Sequence, residues 1–141
     1  MARTYAQFAA LVFLVVGAGG FLVGDASHVV NGTATGNFGS VSLHLTYTRD
    51  VLDLLLAAVF AYAGFVASPR DAWIPLLGAG AVLLLLAVLG FLHADTTSGG
   101  NAVASLHFPL AMNVFDLIAA VITLLCALGA LAEEPTTAAP R

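Results

Sequence analysis

The chain has 141 residues, 60% of them hydrophobic and only 9% charged, with a net charge of −4, four arginines and no lysine. Length alone indicates one domain. Soluble domains carry about 25% charged residues, so a water-exposed surface of this size is excluded, as are a basic patch for nucleic acid and a polybasic strip for anionic lipid.

Residues 5–24 form an uncharged run that matches the roughly 20 residues needed to cross a bilayer and predict the first spanning helix. Its start, "MARTYAQFAALVFLVVGAGG", also has the layout of a signal peptide. We set that reading aside because the segment has a counterpart later in the chain. Residues 25–47 are rich in Gly, Ser, Thr and Asn and predict a long loop. The charge-free part of the second apolar run, residues 54–67, is too short to cross. Extending it back to Thr48 as N-cap gives a full span, with Asp53 about 7–8 Å inside at 1.5 Å per residue. "SPRD" at 68–71 is a tight connection, residues 72–92 are the third span, and 93–108 form the second long loop. Residues 110–132 are the fourth span, with Asp116 about 9 Å inside by the same rise. The tail, 133–141, reads as disordered and cytoplasmic. The single cysteine, Cys126, lies inside an apolar run and is expected to be a small packing residue.

The two halves match. "GFLVGD" at 20–25 aligns with "GFLHAD" at 90–95, and the same offset pairs Ala10, Gly17 and Gly24 with Gly80, Ala87 and Ala94. "SLH" at 42–44 aligns with "SLH" at 105–107, which pairs His44 with His107, Asp53 with Asp116, and Ala57, Gly64 and Ala67 with Ala120, Ala127 and Ala130. The expected architecture is therefore all-α: an integral membrane four-helix bundle over residues 1–132, built from two parallel repeats of a helical hairpin, about 5–67 and 72–132. Small residues recur at helical spacing, so Gly17, Gly20, Gly24, Gly64 and Gly90 are expected to seat helix against helix.

The "ARTYA" start, the paired "GF" helix ends and the repeated helix head "N/D-V-x-D-L" resemble the uncharacterised bacterial membrane family catalogued as domain of unknown function 4383. The resemblance covers residues 2–132 and implies four helices in two hairpins in a bacterial inner membrane, with no established activity. That family carries a histidine where this chain has Asp53 and Asp116, so no histidine-based role transfers.

Arg3, Arg70 and Arg141 fall on the side of the termini and the short connection. The positive-inside rule puts that side in the cytoplasm and both long loops outside, in a multi-pass protein of the plasma membrane. The outer half then holds all four histidines, His28, His44, His93 and His107, and five of the eight acids: Asp25, Asp50, Asp53, Asp95 and Asp116. The candidate polar or ion site is Asp53 and Asp116 with Arg49, Asp50, His44 and His107. Asp50 and Asp53 also suit the positive end of a helix, and no HxxxH or HxH spacing marks a metal. No nucleophile motif such as GxSxG occurs, so no enzyme is expected. The preferred reading is a non-catalytic helix-packing or accessory module that meets lipid and a second copy or larger membrane complex, without cofactor. The alternative is a small ion or proton carrier, or a metal- or haem-binding protein using His44 and His107 as paired ligands.

Overall fold

The computed structural model describes residues 1–25, 36–38, 41, 43–93 and 103–132. The tail, Ala94, His28, Asp95 and most of both long loops lie outside the described residues.

Among the described residues there are four α-helices: α1 (Ala2–Val23), α2 (Tyr47–Ala61), α3 (Trp73–Leu92) and α4 (Leu110–Ala132). α1, α3 and α4 are long and apolar enough to cross a membrane. Gly24, expected on a packing face, instead follows α1 with φ 86° and lets the chain leave the helix. The cap of α2 also differs from expectation. Thr46, not Thr48, accepts the Arg49 backbone N–H at 3.2 Å, and it sits ahead of the helix in extended backbone. A contact distant in sequence holds it there, since its hydroxyl donates to the Ser105 carbonyl at 2.7 Å.

α2 runs directly into one π-helical turn, Tyr62–Val66, closed by the Ala67 N–H on the Tyr62 carbonyl at 2.8 Å. Helix C-termini leave carbonyls without intrahelical donors, and α1 supplies donors here. Gln7 Nε2 donates to the Gly64 carbonyl at 3.0 Å, and Arg3 Nε reaches the same oxygen at 3.3 Å. The short connection is tied by Ser68, whose hydroxyl meets the Asp71 carboxylate at 2.6 Å.

α1 pairs antiparallel with α2, and α3 with α4, through glycines. A Cβ on Gly17 would press on the Asp50 carbonyl and Leu54, one on Gly64 on Gln7, and one on Gly80 on Leu124. The core is aromatic: Phe13 stacks on Phe60 within the first hairpin at 5.3 Å, and Phe115 of the second meets Phe13 at 5.4 Å. Tyr5 meets Thr123, hydroxyl to hydroxyl, at 2.6 Å. Cys126 is half-buried and packs beside this core.

The distribution of size is inverted relative to a water-soluble bundle. The buried helix faces carry Ala6, Ala9, Ala10, Ala57, Ala63, Ala79 and Ala87, while Phe8, Leu85 and Leu125 are about 60% exposed, at 65%, 58% and 63%. Small residues let helices approach, and many of the large apolar side chains face outward.

Candidate functional site

The helix heads converge at one end of the bundle. Arg49, in the first turn of α2, is buried between two carboxylates. Its Nε donates to both oxygens of Asp53, at 3.1 and 3.2 Å, across one helical turn. Its two Nη atoms donate to Asp116 of α4, Nη1 to Oδ2 at 2.8 Å and Nη2 to Oδ1 at 2.5 Å. This two-pronged geometry is what a planar guanidinium offers and an ammonium does not. Asp53 and Asp116 are each 0% exposed, and the pair meets inside the bundle with Arg49 as the bridge between hairpins.

Asp50 stands apart from this bridge. It is also fully buried, and neither of its oxygens has a hydrogen-bond partner among the described residues. It faces Gly20 so closely that a Cβ there would overlap the carboxylate. Asn113 does the same in the second hairpin: it is fully buried, and a Cβ on Gly90 would overlap its amide. Thus Gly20 and Gly90 each seat one polar side chain, beyond simple backbone approach. Asp50, Asp53 and Asp116 against Arg49 alone give this buried group a formal charge of −2.

His44 and His107 lie just before the two helix heads, with ring centroids 6.1 Å apart and nearly perpendicular. His44 adopts φ 46°, and its N–H donates to Asn37 Oδ1 at 3.1 Å. His107 Nδ1 is buried without a hydrogen-bond partner among the described residues. Leu45 and Phe108, the next residues along, are fully buried. No group of three or more His, Cys, Asp or Glu side chains with metal-binding geometry occurs among the described residues.

Three polar residues of this region escaped the sequence reading. Asn113 could have been found as the offset partner of Asp50 within the repeated head. Thr46 and Ser105 act through a loop-to-loop contact that carries no local signal. No family model, curated protein or solved structure matches this chain. The resemblance of the helix heads therefore rests on the quoted residues alone.

Proposed function

We propose that the chain is a multi-pass protein of the plasma membrane, with cytoplasmic termini, external long loops and a non-catalytic packing or accessory role. The outward Leu, Val and Phe side chains support contact with lipid, and the small-residue seams support two duplicated hairpins. The observation that carries the packing role is Arg49. All three of its guanidinium nitrogens are engaged by Asp53 and Asp116, which joins one hairpin to the other. Charges at membrane depth are costly unless paired within the bundle, and this pairing makes the polar group part of the scaffold.

A second reading rests on the His44–His107 ring pair, whose side-by-side position suits a metal or haem iron held by two imidazoles. One preparation in mild detergent separates the two readings, with native mass, metal content and visible absorbance measured on the same sample. The packing reading expects a defined assembly without stoichiometric metal or a haem band. A stoichiometric metal or haem band that disappears in His44→Ala or His107→Ala overturns it in favour of the second.

A further inference from the structure

Asp50 and Asn113 hold matching places: each opens a "D/N-V-x-D-L" head, each is fully buried, and each presses on a helix glycine, Gly20 or Gly90. They differ in one respect. Asn113 has a donor, and its Nδ2 donates to the carbonyl of Phe108, five residues earlier, at 3.0 Å. An ionised Asp50 has none, and the carbonyl at the corresponding place in its own segment is that of Leu45.

Among the described residues, the charged groups within electrostatic reach of Asp50 are Asp53 and Arg49 on its own helix and Asp25 just beyond α1. From α1 itself Gly17 and Gly20 face the first turns of α2, and neither titrates. Arg49 is occupied by Asp53 and by Asp116 of α4. An ionised Asp50 would therefore add a negative charge to a bridge that already carries one in excess, away from water.

We propose that Asp50 is an exchangeable-proton site. One carboxylate oxygen takes a proton from solvent, forming an O–H bond that donates to the Leu45 carbonyl, and releases it to solvent again. The protonated side chain is the isostere of asparagine, which is what the second hairpin places in the matching seat. A proton suits the seat better than a metal ion, because it needs one oxygen and one acceptor, whereas Na⁺ or Ca²⁺ gathers several oxygens at once. The inference goes beyond the packing role and does not depend on it.

The test is infrared spectroscopy of the full chain in lipid across a pH series. The expected result is a protonated-carboxyl C=O band that titrates, shifts in deuterium oxide and is lost in Asp50→Asn. Asn113→Asp should add a second such band. Asp50→Asn should fold, by circular dichroism, as well as the parent chain. An unchanged band in Asp50→Asn overturns the proposal, as does a band that appears only when sodium is withdrawn. Failure of Asp50→Asn to fold overturns it too, since a neutral side chain of that shape is what the seat is proposed to hold.

Discussion

At the scale of single residues, the identity of position 49 matters more than its charge. Arg49 reaches Asp53 with Nε and Asp116 with both Nη atoms, a division of labour that needs a planar fork. A lysine there keeps the charge but offers one compact ammonium to two carboxylates on different helices. Arg49→Lys should therefore leave one buried carboxylate poorly compensated, and breaking one partner of a buried pair costs about 3–5 kcal/mol. The expected outcome is a clear drop in the thermal midpoint in detergent, with Arg49→Met lower still. Asp116→Asn should be milder, because Arg49 then balances Asp53 alone. Equal midpoints for Arg49→Lys and the parent would show that the fork geometry contributes nothing to holding the hairpins.

At the scale of helices, the glycines divide into two groups. Gly20 and Gly90 face Asp50 and Asn113, and Gly17 faces the α2 backbone, so a methyl group at any of them must displace a neighbour. Gly78 and Gly129 have nothing within 4 Å of an added Cβ. Overpacking a tight contact costs about 1–3 kcal/mol, whereas replacing an open helical glycine by alanine gains up to about 1 kcal/mol. Gly17→Ala, Gly20→Ala and Gly90→Ala should each lower thermal stability, and Gly78→Ala and Gly129→Ala should hold or raise it. A common response across all five would dissolve the distinction.

Much of this was legible in the sequence because spacing carries it. The small residues at 10, 17, 20, 57 and 64 are buried as their helical spacing predicts, and α4 has its expected bounds. What escaped depends on partners remote in the chain. Two threonines two residues apart can both cap α2, and only the Ser105 carbonyl decides for Thr46. The π turn at Tyr62–Val66 has no signature of its own; its Gly64 carbonyl is met by Gln7 and Arg3 of α1. Gly24 continues the packing face by periodicity, and the structure adds a positive φ there that ends α1.

At the scale of the whole molecule, the proposed orientation rests on where the arginines sit. Arg3 and Arg70 lie at the end that carries the N-terminus and the Ser68–Asp71 turn, within reach of helix ends where positive charge directs insertion. Arg49, the only arginine assigned to the other end, is not a loop charge: it lies in the first turn of α2, buried and paired. The two-hairpin arrangement then requires that the start of α2 and the turn between α2 and α3 face opposite sides. Val41 and Pro69 are exposed and test this requirement directly. In a Cys126→Ala background, Val41→Cys should react with an impermeant thiol reagent in intact cells, and Pro69→Cys should react only after the membrane is opened. The reverse pattern would invert the orientation while keeping the hairpins. Reaction of both from the same side would be more damaging, because residues 47–66 would then fail to cross, and the Arg49 bridge could not lie within the membrane as drawn.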